Sequence, residues 1–200
     1  MKKKGRWADH YTQKAKDEKW LARSVYKLEE IDKKYHLIKK GDRLLDLGCY
    51  PGSWSQYCLQ KIGSNGEIIG IDLKKPEKLA SPNFRFIEGD ILTMNFAVNG
   101  PMEITPRHLI LSDMAPQTTG MRISDASRSL ELAYKAFEVV CILLRKKGHF
   151  LCKLFENEEI NHFRKQISNH FEQVFLIRPR AVRKGSREIY TLGLFFENND

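Results

Sequence analysis

The stretch Arg43-Leu44-Leu45-Asp46-Leu47-Gly48-Cys49-Tyr50-Pro51-Gly52-Ser53-Trp54 decides how the rest of the chain is read. Its first five residues form an apolar run too short for a helix and long enough for a buried strand. Asp46 closes the run with a carboxylate. Gly48 and Gly52 flank Pro51 in a tight turn, where absent side chains let the backbone approach a ligand closely. Ser53 then stands where it can cap a helix carrying Trp54 in its first turn. Strand, glycine loop and helix in that order form a nucleotide site at the carboxyl end of the first strand of an open α/β sheet.

The loop also excludes ligands. Three residues separate its glycines, so it is not the G-x-G-x-x-G of a dinucleotide site. The G-K-[ST] of a Walker phosphate cradle occurs nowhere in the chain. A nucleoside ligand without a pyrophosphate is left, and S-adenosylmethionine is the obvious one.

Working outward, β-like and helical patterns alternate. A polar helix is expected over 7–18, and a better patterned one over 22–35, with Val25, Leu28 and Ile31 on one face. Strands follow at 43–47, 67–72, 84–87, 108–112 and 149–155, with a helix over 53–62 after the first. Residues 91–107 are poorly patterned and predict a short helix and a loop. Ser124 or Asp125 starts a long helix running to Lys147, with Leu130, Ala133, Phe137, Val140, Cys141 and Leu144 on its buried face and Gly148 ending it. A helix over 157–169 precedes two last strands, 171–177 and 188–196. This pattern predicts an α/β chain: a mostly parallel seven-stranded sheet with helices on both faces, finishing in an antiparallel pair. That is the plan of a Rossmann-like class I methyltransferase.

Two hundred residues, 42% hydrophobic and 30% charged, suit one globular domain. No apolar run approaches a membrane span, and the basic start Met1-Lys2-Lys3-Lys4-Gly5-Arg6 lacks the apolar core of a secretory signal. The net charge of +9 points to a polyanionic partner. It is concentrated in two places. Arg178, Arg180, Arg183, Lys184 and Arg187 occupy one loop without an acid among them; Lys2, Lys3, Lys4, Arg6, Lys14, Lys16, Lys19 and Arg23 mark the other. The four cysteines form no C-x-x-C pair and no zinc spacing, so no metal is expected and a reducing cytoplasm is. Cys141 and Cys152 read as small buried residues.

Ligands of such sheets lie outside the carboxyl ends of the strands, and Asp46, Asp72, Asp90 and Asp113 fall there in succession. Asp72 is placed to accept both hydroxyls of a ribose, Asp90 to face an adenine amino group, and Asp46 to assist a ligand ammonium. Lys153 interrupts the apolar fifth strand, and a lysine is costly to bury without a partner. Lys27 and Glu188 complete a set that cofactor binding does not need.

Five blocks then occur in order: Arg23-Ser24-Val25-Tyr26-Lys27-Leu28, Asp46-Leu47-Gly48 through Pro51-Gly52-Ser53-Trp54-Ser55-Gln56, Ser112-Asp113-Met114-Ala115-Pro116, Lys153-Leu154-Phe155, and Ser186-Arg187-Glu188-Ile189-Tyr190. Together they resemble the FtsJ-type (RlmE) ribosomal RNA large-subunit 2′-O-ribose methyltransferases over nearly the whole chain. The resemblance implies a catalytic tetrad of Lys27, Asp113, Lys153 and Glu188. Lys153 is its centre, as proton acceptor or as electrostatic guide of the ribose oxygen. It implies S-adenosylmethionine contacts at Gly52, Trp54, Asp72, Asp90 and Asp113, to which the loop adds Asp46, Gly48 and Pro51. Cys49-Tyr50 departs from the family's two small residues. RNA is assigned to Arg23, Arg178, Arg180, Arg183, Lys184 and Arg187. The expected division is a basic extension over 1–21 and a methyltransferase domain over 22–200, acting as a cytoplasmic monomer. The expected acceptor is a uridine in the A-loop of 23S RNA, within the assembled large ribosomal subunit.

Other readings compete. Transfer RNA or a messenger cap would use the same tetrad. An amino-methyltransferase would show Asn/Asp-Pro-Pro-aromatic where this chain has Asp113-Met114-Ala115-Pro116. A nicotinamide oxidoreductase lacks its glycine fingerprint here, and a non-catalytic RNA-binding module has no use for the tetrad.

Overall fold

The computed structural model describes residues 6–98 and 100–197, with side chains in the first helix from His10 onward. Lys2, Lys3, Lys4 and the expected disorder of residues 1–5 lie outside the described residues. In chain order the elements are α1 (Arg6–Asp17), α2 (Val25–Tyr35), β1 (Arg43–Leu47), α3 (Ser53–Ile62), β2 (Glu67–Asp72), β3 (Phe84–Glu88), β4 (Arg107–Ser112), α4 (Arg122–Leu143), β5 (Leu144–Phe155), α5 (Ile160–Ser168), β6 (Phe171–Ile177) and β7 (Glu188–Phe196).

The seven strands form one sheet in the order β3-β2-β1-β4-β5-β7-β6. β1 to β5 are parallel, and β7 runs antiparallel between β5 and β6. This is the Rossmann-like α/β architecture the alternation predicts. The short apolar strands are buried on both faces, as a parallel sheet requires. Leu45, Leu47, Ile69 and Ile110 pack with Ala133, Val140, Phe163 and Ile167 of α4 and α5. Leu44, Ile68, Leu109 and Leu151 pack with Leu28 and Ile31 of α2 and Tyr57 and Cys58 of α3 on the other face. Ala15 of α1 belongs to this second cluster, and the Tyr11 ring lies tilted against that of Tyr26, with centres 5.3 Å apart.

The structure corrects several local readings. α4 stops at Leu143, and Leu144 to Gly148 already belong to β5, with Lys147 at φ +61°. Leu144 is needed beside Arg107 in the sheet, and the register slips between Arg107 and Leu109 to accommodate it. Gly148 therefore lies within a strand and ends no helix. Cys141 faces solvent, one position off the α4 face that buries Val140 and Leu143. No helix forms over residues 91–98 or 100–107; Thr93 and Met94 donate back to the Asp90 carbonyl in a turn instead. Gly52, not Ser53, caps α3, with φ +105°. The Ser53 hydroxyl is buried and pairs with that of Ser24 at 2.8 Å. Among the described residues no helix is long and apolar enough to cross a membrane, and no group of His, Cys, Asp and Glu could hold a metal ion.

Candidate active site

The carboxyl ends of β1, β2, β3 and β4 surround a cavity of about 310 Å³. Gly48, Tyr50, Asp72, Asp90, Asp113 and Met114 are among its lining residues, with Ile71, Ile91 and Leu132 supplying apolar walls. The glycine loop closes over β2, where the amides of Gly48 and Cys49 both donate to the Ile71 carbonyl. Gly48 has φ +74°, and a Cβ there would sit 2.6 Å from Met114 Cγ, so only glycine fits this crossing.

Asp72 takes the Tyr50 amide on one oxygen at 2.9 Å and the Lys74 amide on the other at 3.1 Å. A carboxylate has about four lone-pair sites, so two remain for a diol. Tyr50 is half exposed at the mouth, with Lys74 Nζ 4.5 Å from its ring centre. Its bulk, unexplained from sequence, forms one wall of the cavity. Asp90 takes the Leu92 amide at 3.0 Å on Oδ1, leaving Oδ2 at the rim.

Asp46, Pro51, Gly52 and Trp54 are not among the lining residues. Asp46 is sealed under the loop, with Oδ2 accepting the Ser55 hydroxyl at 2.6 Å and Oδ1 without a partner. Burial pushes its carboxyl up to about 7; the Ser55 hydrogen bond opposes this, and the charges of Asp113 and Asp72 add to it. A Cβ on Gly52 would meet Leu21, Pro76 and Leu79, so this glycine serves packing between segments. Trp54 is also core: its indole donates to the Ser24 carbonyl at 2.9 Å, and its ring lies 5.9 Å from that of Tyr190.

The tetrad residues stand together beside the cavity. Lys153 Nζ lies 3.1 Å from Asp113 Oδ1 and also donates to the Asp113 carbonyl. Lys27 on α2 reaches Glu188 at the start of β7, Nζ to Oε2, at 2.6 Å. Both lysines are buried. Tyr190 links the two pairs. It sits opposite Lys153 in the sheet, donates its hydroxyl to Asp113 Oδ1 at 2.8 Å, and has Lys27 Nζ 5.9 Å from its ring centre. Burial pushes the Asp113 carboxyl up, but the charges of Lys153 and Lys27 and the Tyr190 hydroxyl outweigh it and hold it below the usual range. In the sequence Tyr190 stands in the last of the five blocks with no role implied for it. Its signal was its spacing two residues after Glu188, which puts both on the same face of a strand.

The basic loop between β6 and β7 divides by partner. Arg178 bonds the Ser186 carbonyl and Glu156, and Arg187 bonds the Arg122 carbonyl at 3.1 Å, so both brace the loop. Arg23 donates to the Ala181 carbonyl at 2.8 Å and lies over Tyr11. Arg180, Arg183 and Lys184 project into solvent. The Arg180 amide is tied to Glu30 of α2, which fixes the loop next to the Lys27–Glu188 pair.

A nucleoside-sized cavity at the strand ends, with the sheet order above, defines a class I methyltransferase fold. Residues 20–196 match the FtsJ-like methyltransferase family, and the chain belongs to that family. Curated relatives agree. The chain is 45% identical to the ribosomal RNA large subunit methyltransferase E of Desulforapulum autotrophicum, over 96% of this chain and 94% of that one. It is 43% identical to the protein of the same name from Bdellovibrio bacteriovorus, over 93% and 95%. The crystal structure of a ribosomal RNA methyltransferase from Plasmodium falciparum superposes with a TM-score of 0.78 at 30% identity, covering 88% of this chain and 98% of that one.

Proposed function

We propose that this chain transfers the methyl group of S-adenosylmethionine to a ribose 2′-hydroxyl, that of a uridine in the A-loop of 23S RNA within the assembled large ribosomal subunit. The names of the relatives support ribosomal RNA as the substrate, and the tetrad supports the ribose. The residues present fit the donor. Asp72 keeps lone pairs for the ribose diol, Asp90 Oδ2 is open to an amino group, and Ile71, Ile91 and Leu132 suit the faces of an adenine. When bound, the donor supplies a methyl group made electrophilic by its sulfonium.

The chain's own contribution is placement. One observation carries the reading: an ammonium has three hydrogens, and Lys153 has two of them committed to Asp113. The third is left for an acceptor oxygen beside the cavity. Lys153 thereby orients the 2′-oxygen and stabilises the negative charge growing on it as the hydroxyl proton passes to solvent water and the methyl group takes its place. Asp113 fixes the lysine head, and its depressed carboxyl makes it a poor proton acceptor. Glu188 is engaged by Lys27, so the second pair anchors α2 to β7 at the edge where RNA enters. Alignment of this kind supplies several kcal/mol of the barrier reduction. We place the protein in the cytoplasm, working as a monomer.

Lys153→Ala should abolish methyl transfer while leaving S-adenosylmethionine affinity within about threefold, since Lys153 does not line the cavity. Labelled-methyl transfer to large subunits, naked ribosomal RNA and transfer RNA, paired with calorimetric donor binding, tests both parts. Turnover near normal in the variant would refute the assignment. Preference for transfer RNA would move the substrate.

A further inference from the structure

The edge of the sheet opposite the cavity is also basic. There the amino ends of β1, β4 and β5 meet, bringing together Arg43, His108 and Arg145. The segment entering β1 adds Lys39 and Lys40. Lys39, Lys40, Arg145 and Lys146 are exposed, and none of them forms an ion pair among the described residues. Neighbouring cations are matched: Lys147 by Glu172 and Glu197, Arg107 by Glu67. Of the nearby carboxylates, Glu67 beside Arg43 is engaged by Arg107, while Asp42 takes the Lys39 amide at 2.8 Å and lies 3.9 Å from His108 Nε2.

Two imidazoles register the field. Burial lowers the pKa of both His108 and His149, and the patch cations lower it further: Arg145 and Arg43 act on His108, Lys39 and Arg145 on His149. Asp42 opposes the shift in each case. Both rings accept a backbone amide on Nδ1, from Arg43 and Phe195 respectively. The edge thus carries an excess of unpaired positive charge that the fold does not use.

We propose that this edge is a second RNA-docking surface, which grips the phosphates of a helix of the substrate RNA other than the strand bearing the acceptor ribose. The inference rests on the reading that the substrate is structured RNA. Strands of five or six residues, at about 3.3 Å each, put roughly 17–20 Å between this edge and the cavity. The 178–187 loop already serves the cavity end. A single phosphate track there cannot also pass beneath the sheet, whereas a folded RNA presents two tracks. Unpaired lysine and arginine heads at this edge can displace counterions from phosphates. Its large exposed apolar side chains, Ile142 and Phe195, come from different elements and make no amphipathic helix to enter a lipid surface.

The test neutralises four exposed side chains together: Lys39→Gln, Lys40→Gln, Arg145→Gln and Lys146→Gln. Methyl transfer to isolated large subunits is measured, with the salt dependence of binding to those subunits and to a single strand of about 20 nucleotides carrying the acceptor. The KM for subunits should rise about tenfold near 150 mM salt, with kcat within twofold, and the log–log salt slope should shrink by about 2. Short-strand and donor affinities should hold, and the charge-preserving set Lys39→Arg, Lys40→Arg, Arg145→Lys and Lys146→Arg should behave as the parent. An unchanged subunit KM and salt slope would overturn the proposal. So would an equal loss on the short strand, which would make the edge part of a general field. Weakened binding to anionic phosphatidylserine vesicles, with RNA binding intact, would also overturn it. A parent protein that methylates no RNA would instead defeat the underlying functional reading, and this proposal with it.

Discussion

Two carboxyls at neighbouring strand ends have opposite fates. Asp113 is surrounded by cations and a hydroxyl and stays ionised; Asp46, two strand positions from the loop glycine, has one hydroxyl and an orphaned oxygen. Its pKa is raised from an ordinary aspartate value to about 7. The native state therefore holds a proton that the unfolded chain gives up, so this carboxyl's contribution to stability is full below about pH 4 and is lost as pH rises to about 7. At about 1.4 kcal/mol per unit, the loss is on the order of 4 kcal/mol at most. Asp46→Asn should remove most of this slope, and urea titrations at pH 5 and pH 8 should show the parent losing stability between them while the variant does not. Sequence showed Asp46 as a strand-end carboxylate but could not show its side chain turned beneath the loop. The same limit applies to Trp54, whose indole supports Tyr190 from behind. Lys153, by contrast, was legible as a residue type in the wrong environment, a charge in an apolar strand.

At the scale of elements, short apolar runs between turn residues marked every strand, and β1, β2, α3, β6 and β7 run over the residues expected. The junction of α4 and β5 did not. Arg145-Lys146-Lys147 continues a helical composition, and only pairing with Arg107 across the sheet draws Leu144 into a strand. Arg107 is itself held from several sides. Its guanidinium is fully buried, donating to the Thr105 carbonyl at 2.7 Å, the Thr105 hydroxyl at 3.0 Å and Glu67 at 2.6 Å. It ties the turn before β4 to the start of β2. Arg107→Ala leaves a cavity and strips three bonds, and should cost about 3 kcal/mol in equilibrium denaturation. The cavity lies at the far end of β4, so donor affinity at temperatures well below the midpoint should change little.

For the whole molecule, the net charge of +9 points to a polyanionic partner without placing it. The structure separates the loop cations into braces and free heads, which sequence spacing could not do. Replacing Arg180, Arg183 and Lys184 with glutamine should weaken RNA binding and lower the log–log salt slope by about 2, with folding unaffected. Filter binding across a salt series checks this, and an undiminished slope would remove RNA from that surface. The sheet order has a further result, in time. The lining of the cavity comes from residues between Gly48 and Leu132, whereas the proposed acceptor side depends on β7, which delivers Glu188 and Tyr190. The Lys27–Glu188 contact spans 161 positions, and β6 reaches the sheet only through β7. Contacts so distant in sequence close slowly. A refolding chain should therefore acquire its grip on the methyl donor before it acquires anywhere to deliver the methyl group.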